Sequence, residues 1–282
     1  MRELLFALLA VLLGAAYLSA DEKGDLERMA AQHQHDKPVA SPATTPEPAQ
    51  PVSGEEVTYG EVAGHPVKGY LAKPKSAHGP LPAVILVHEW WGLNDNIRAM
   101  ARRLAGEGYT ALAVDLYGGA VAKTPDEATK LMQASMQHKD ALAENLRHAQ
   151  AYLKRNGAPK IGVVGWCFGG GWSLQTALLV PDGIDAAVVY YGRPEPDKAE
   201  IAKLKAPVLG LYGADDQGIP VASVRAFEAT AKELGKNVEI HVYDGAGHAF
   251  ANPSGTAYRP EAAKDAWSRT TAFFKQHLQG GA

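Results

Sequence analysis

Short apolar runs and helix-compatible segments alternate along most of this chain. Strand-like runs fall at about 56–63, 66–73, 82–88, 109–114, 160–165, 185–191, 206–212 and 238–243. Helix-like segments fall at about 95–107, 126–133, 137–155, 170–180, 198–204, 220–235 and 260–278. Ile161-Gly162-Val163-Val164 is a continuous apolar run and reads as a buried strand, whereas Val238-Glu239-Ile240-His241-Val242 alternates. After two opening strands the β/α alternation predicts an α/β domain: a mostly parallel central sheet with helices on both faces. No internal repeat is visible.

The pattern changes toward the amino terminus. Met1-Arg2-Glu3 precedes an apolar run from Leu4 to Leu18, and Leu18-Ser19-Ala20 ends in a small residue before Asp21. This predicts a signal peptide over 1–20 and a secreted or periplasmic protein. The run is shorter than the roughly 20 residues of a bilayer span. An uncleaved membrane anchor is the alternative, and no stable membrane association is expected once the signal is cleaved. Residues 21–53 include the tract from Lys37 to Pro51, rich in proline and small polar residues, and are predicted to be a disordered linker. Residues 54–282 then form one domain of ordinary size. A formal net charge of −3 and no basic patch argue against a nucleic-acid partner. The oligomeric state is not legible.

The chain has one cysteine, so no internal disulfide can form. Cys167 stands in Gly165-Trp166-Cys167-Phe168-Gly169-Gly170, between the buried strand and a helix-compatible stretch. Gly-x-Cys-x-Gly at a strand-to-helix turn is the pattern of a nucleophile elbow, with sulfur in place of the usual serine oxygen. A cysteine buried for packing alone does not need glycine two residues away on either side. Downstream, a strand ends in Gly213-Ala214-Asp215-Asp216, and another ends in Gly245-Ala246-Gly247-His248. The order nucleophile, acid, histidine suits this kind of site, and both loops follow strands, at the edge where open α/β sheets place their chemistry. His248 is the candidate base. Asp215 and Asp216 compete to orient it, since either could cap the following helix. His241 lies mid-strand, and His88 with the remaining histidines has no comparable context. His33 and His35 form a His-x-His pair, which alone is a weak metal signature.

These residues, together with His88-Glu89-Trp90-Trp91-Gly92-Leu93, Asp115-Leu116-Tyr117, Tyr190-Tyr191-Gly192, Asp216-Gln217-Gly218-Ile219-Pro220 and Gly247-His248-Ala249-Phe250, resemble the dienelactone hydrolase family of α/β-hydrolases. The resemblance spans most of the chain beyond residue 54. It implies the α/β-hydrolase fold, Cys167 as nucleophile, His248 as base and Asp216, rather than Asp215, as acid. It also implies that Glu89 contacts the resting thiol and that the backbone amides of Trp90 and Phe168 form an oxyanion hole. Where the family carries two arginines for a substrate carboxylate, this chain has Gly119 and Asn252. Lys123, Arg193 and Arg259 are the candidates to replace them. Otherwise the expected substrate is an uncharged ester or lactone. Tyr117, Trp166, Tyr191, Phe250 and Asn252 are the candidate pocket residues.

The activity implied is hydrolysis of small carboxylic esters or lactones through a thioester on Cys167, with no cofactor and no metal. Two other classes fit parts of the sequence: a non-catalytic small-molecule-binding member of the fold, and a thiol redox-responsive protein. The second would need no His248 or acid in chain order, and it lacks a resolving cysteine.

Overall fold

A computed structural model describes residues 24, 30–31, 33–36, 38, 46–195 and 197–280. The segment 1–20, expected to be a signal peptide, lies outside the described residues.

Eight strands make one sheet: β1 (Val52–Val62), β2 (His65–Pro74), β3 (Ala83–Val87), β4 (Thr110–Val114), β5 (Ile161–Trp166), β6 (Ala186–Tyr190), β7 (Val208–Gly213) and β8 (Val238–Tyr243). Their spatial order is β1-β2-β4-β3-β5-β6-β7-β8. β1 pairs antiparallel with β2, and β2 with β4. All other pairings are parallel. Helices packed around the sheet are α1 (Asp95–Gly106), α2 (Pro125–Met136), α3 (Lys139–Arg155), α4 (Phe168–Leu179), α5 (Lys198–Ala202), α6 (Val221–Glu233) and α7 (Pro260–Phe274), the last continued by a π-helical turn over Lys275–Gln279.

Strand periodicity explains the two layers. On β3, Ile85 and Val87 point to one core, which they share with Leu146 of α3, Ala177 of α4 and Phe227 of α6. Val84 and Leu86 point to the other, shared with Ala101 and Leu104 of α1 and Phe274 of α7. Every residue of β3, β5, β6 and β7 is buried, which is why these strands read as apolar runs rather than alternations.

Local chemistry sets several ends. The Asn94 side chain caps α1 by accepting from the Ile97 N–H. The Thr124 side chain caps α2 through the Glu127 N–H, with Pro125 at the first helical position, so this helix runs a turn longer than its apolar pattern suggests. α4 starts at Phe168 rather than at 170, directly after the cysteine.

The described part of 21–53 departs from the expectation of a disordered linker. β1 already begins at Val52. The Gln50 amide donates to Gly106 O (2.9 Å) and accepts from Ser76 Oγ (2.9 Å). Gly106 has no side chain to hold off the segment at Pro48 and Ala49. Further upstream His33 and Asp36 are buried against the domain, while His35 is exposed. Specific polar bonds and close backbone approach secure a stretch whose composition alone could not.

Candidate active site

The loops that follow β3, β4, β5, β6, β7 and β8 gather at the carboxyl edge of the sheet. The sharpest turn is at Cys167, with φ 57° and ψ −117° between β5 and α4. A side chain there is strained and held by its surroundings. A Cβ on Gly165 would lie 1.9 Å from Gly169 O, and one on Gly169 would lie 2.3 Å from Val87 O. The glycines are required because α4 crosses β5 and β3 at backbone contact. The Phe168 N–H, first in α4, has no acceptor within its helix and is available to a ligand.

His248 follows β8. Its Nδ1 meets Asp216 Oδ2 at 2.7 Å, and Asp216 Oδ1 accepts from the Gly218 and Ile219 N–H groups, each at 2.9 Å. Asp216 is buried against His248, whereas its neighbour Asp215 is exposed. The Asp216 bond leaves Nε2 buried on the side of Cys167. Burial pushes the His248 imidazole down, but charge at Cys167 and Asp216, with side-chain bonding to both, outweighs it. The pKa is held well above that of an ordinary histidine. Cys167 and His248 are thus brought together, both almost wholly buried at 5% and 3% exposure.

Glu89 lies at the end of β3. Its Oε2 accepts from Asn252 Nδ2 (2.6 Å) and its Oε1 from the Tyr191 hydroxyl (3.4 Å). Burial raises its pKa to about 7, against the opposing pull of His248 and with a further push from Asp36. Asn252 therefore spends its amide on Glu89. Its own Oδ1 accepts from the Ser254 N–H at 2.9 Å.

The other expected site residues sort by what they touch. The Trp90 ring packs edge-on to Trp91 (5.1 Å) in a cluster with Ala122, Ala128 and Met132. Tyr117 packs on Phe168 (5.6 Å). Tyr191 stands edge-on to His248 (5.2 Å). Phe250 is a correction: fully buried, it fills the space between Tyr191 and Tyr243 as core rather than as pocket wall. Trp166 packs on Tyr190 (5.4 Å) and, with Glu89, Tyr191 and Asn252, lines a cavity of about 330 Å³ that extends to Arg103, Lys264 and Trp267. Gly119 sits in a turn where its N–H and that of Tyr117 donate to the Asp115 carboxylate. Lys123, Arg193 and Arg259 are exposed, and Arg259 Nε donates to Gly245 O.

One residue with no role in the sequence reading matters here. His88 is fully buried; its Nδ1–H donates to Glu89 O (2.6 Å) and its Nε2 accepts from the Leu116 N–H (3.1 Å). Burial lowers its pKa, so the neutral ring bridges the loops after β3 and β4 and sets the backbone that carries Glu89 and Trp90. Its only signal was its place beside Glu89 at a strand end.

A mostly parallel sheet with a strained strand-to-helix elbow, and a buried His–Asp pair on two later loops, defines an α/β-hydrolase. The sequence model of the dienelactone hydrolase family matches residues 67–278. Protein usf of Aquifex pyrophilus is 37% identical over 226 residues, covering 77% of this chain and 96% of its own. A Saccharolobus solfataricus protein provisionally named as a carboxymethylenebutenolidase is 36% identical over 251 residues, covering 76% of this chain and 95% of its own. The crystal structure of a Klebsiella pneumoniae protein, provisionally described as a dienelactone hydrolase, superposes with a TM-score of 0.73 at 33% identity, covering 80% of this chain and all of that one. The chain belongs to the dienelactone hydrolase family and is a carboxylic ester or lactone hydrolase.

Proposed function

We propose that this hydrolase works through a thioester acyl-enzyme on Cys167, with His248 as acid and base and Asp216 orienting it. The observation that carries this reading is the buried His248–Asp216 pair beside the elbow cysteine. Cys167 and Asp216 raise the His248 pKa despite burial and so favour its protonated form.

In acylation the Cys167 sulfur adds to the ester or lactone carbonyl, and the oxygen takes the electron pair as an oxyanion. The Phe168 and Trp90 amides are the donors this reading assigns to it. Collapse expels the alkoxide, which takes the proton from His248 Nε2. In deacylation a water gives a proton to Nε2 as its oxygen attacks the thioester. Collapse releases the acid and returns the sulfur beside the imidazolium. Glu89 stands outside this proton path, held by Asn252 and Tyr191. The substrate class is a small uncharged ester or lactone, because Gly119 and Asn252 replace the family's arginine pair and Asn252 is committed to Glu89. The apolar amino-terminal run supports action outside the cytoplasm.

Rapid quench of an activated aryl ester, followed by mass spectrometry, tests the mechanism. The acyl mass should appear on the peptide containing Cys167, and prior alkylation of the thiol should abolish both label and turnover. Turnover that survives stoichiometric alkylation would remove Cys167 from the chemistry.

A further inference from the structure

Residues 30, 31 and 33–36 precede the stretch that matches the family, yet they close over the site. Ala30 packs against the Trp90–Trp91 cluster. His33 Nδ1 meets Asp36 Oδ2 at 2.6 Å, and Asp36 Oδ1 accepts from both the N–H and the hydroxyl of Thr256, each at 2.8 Å. Thr256 lies on the loop that also carries His248 and Asn252. The clasp therefore ties the amino-terminal segment to the catalytic loop itself.

The His33 ring is seated 5.3 Å from Trp90 and 5.4 Å from His248, edge-on to the second. It is 2% exposed, and its Nε2 has no hydrogen-bond partner among the described residues. Asp36 fixes the proton on Nδ1, so Nε2 presents a lone pair. Burial, with the nearby positive charge of His248, lowers the pKa of His33 despite Asp36 and keeps the ring neutral. A buried acceptor left without a donor is unfavourable. A second imidazole–carboxylate pair beside the first, with one nitrogen unanswered, is explained if the missing donor belongs to the substrate.

We propose that His33 is a specificity-determining residue of the active site: it roofs the space between Trp90 and His248, and its Nε2 accepts a hydrogen bond from a hydroxyl or N–H group on the ester or lactone. This rests on the hydrolase reading above and adds to it a polar substituent near the scissile carbonyl. The residue comes from outside the α/β core, so relatives without an equivalent segment lack this contact.

The test compares the unaltered protein with His33→Ala and His33→Gln. Two readouts are used: kcat/KM for a hydroxyacyl p-nitrophenyl ester against its deoxy counterpart, and the rate of Cys167 alkylation by iodoacetamide. The unaltered protein should prefer the hydroxylated ester. His33→Ala should reduce that preference about five- to tenfold, and His33→Gln, which keeps an acceptor, should restore part of it. Alkylation should be several-fold faster in His33→Ala because the roof is gone. An unchanged preference, or an equal loss on both esters, overturns the proposal whatever the alkylation rate does. If the unaltered protein cleaves neither ester, the hydrolase reading fails by itself, and alkylation alone then decides whether His33 covers the thiol.

Discussion

Replacing Glu89 with glutamine should stabilise the protein, and more so as the pH rises. The side chain is buried, with one oxygen held by Asn252 and the other by the Tyr191 hydroxyl. A glutamine carbonyl can accept from Asn252 as the carboxylate does, and the tyrosine hydroxyl can rotate to accept from the new NH₂. The charge is what changes. The folded-state pKa of about 7 lies above the ordinary 4.5, chiefly because burial disfavours the carboxylate. The native state therefore keeps a proton that the unfolded chain releases between these values. Stability falls as the pH rises through that window, and the cost is fully present above it. It amounts to about 1 kcal/mol at pH 5 and about 3 kcal/mol at pH 8. Urea unfolding of both proteins at the two pH values, with unchanged m, is the assay. Glu89→Gln should gain about 2 kcal/mol more at pH 8 than at pH 5. A gain that does not depend on pH, or a loss at pH 8, would falsify the assignment of a neutralised carboxyl beside His248. The same variant should lose any inflection near pH 7 in the rate of Cys167 alkylation, since the group that titrates there is gone.

Other outcomes follow from the geometry. Asp216→Asn should lower kcat/KM at least a hundredfold, whereas Asp215→Asn, at an exposed position, should stay within about twofold in the same ester assay. Gly165→Ala should cost about 3 kcal/mol or more, or prevent folding, because its Cβ meets the backbone oxygen of Gly169; thermal unfolding or soluble yield reads this. A neutral methyl ester should be cleaved with higher kcat/KM than the matching carboxylate-bearing lactone. Clear preference for the anion would mean that a cation has replaced the family's arginine pair.

The sheet was legible because its central strands are buried on both faces and so spell continuous apolar runs, and because the elbow needs glycines at fixed spacing around Cys167. The loop positions of His248 and Asp216 followed from strands that end in short polar turns. What stayed hidden depends on contacts between distant residues. Asn252 marked a missing arginine, but its bond to Glu89 joins residues 163 positions apart. Phe250 beside the histidine looked like pocket, and only packing against Tyr191 and Tyr243 makes it core. His33 sits in a tract with no apolar period, and its burial comes from a clasp to Thr256, 220 positions from Asp36.

The elbow also governs how this enzyme wears out. Cys167 is fixed where α4 touches the backbone of β5 and β3, in the core layer it shares with Trp166 and Tyr191. Its position is lost only by parting the central cooperative unit. The clasp at Thr256 is a surface attachment held by a few polar bonds, and it can release at a small fraction of that free energy. In rising denaturant the covering segment should therefore come away first, leaving an intact and more accessible thiol. Catalytic competence itself should vanish only with the sheet, in the same transition that erases the far-UV signal. Between those two points lies a range of conditions in which the protein is folded yet its sulfur is open to oxidants, and damage during storage or stress should accumulate there rather than in the unfolded state.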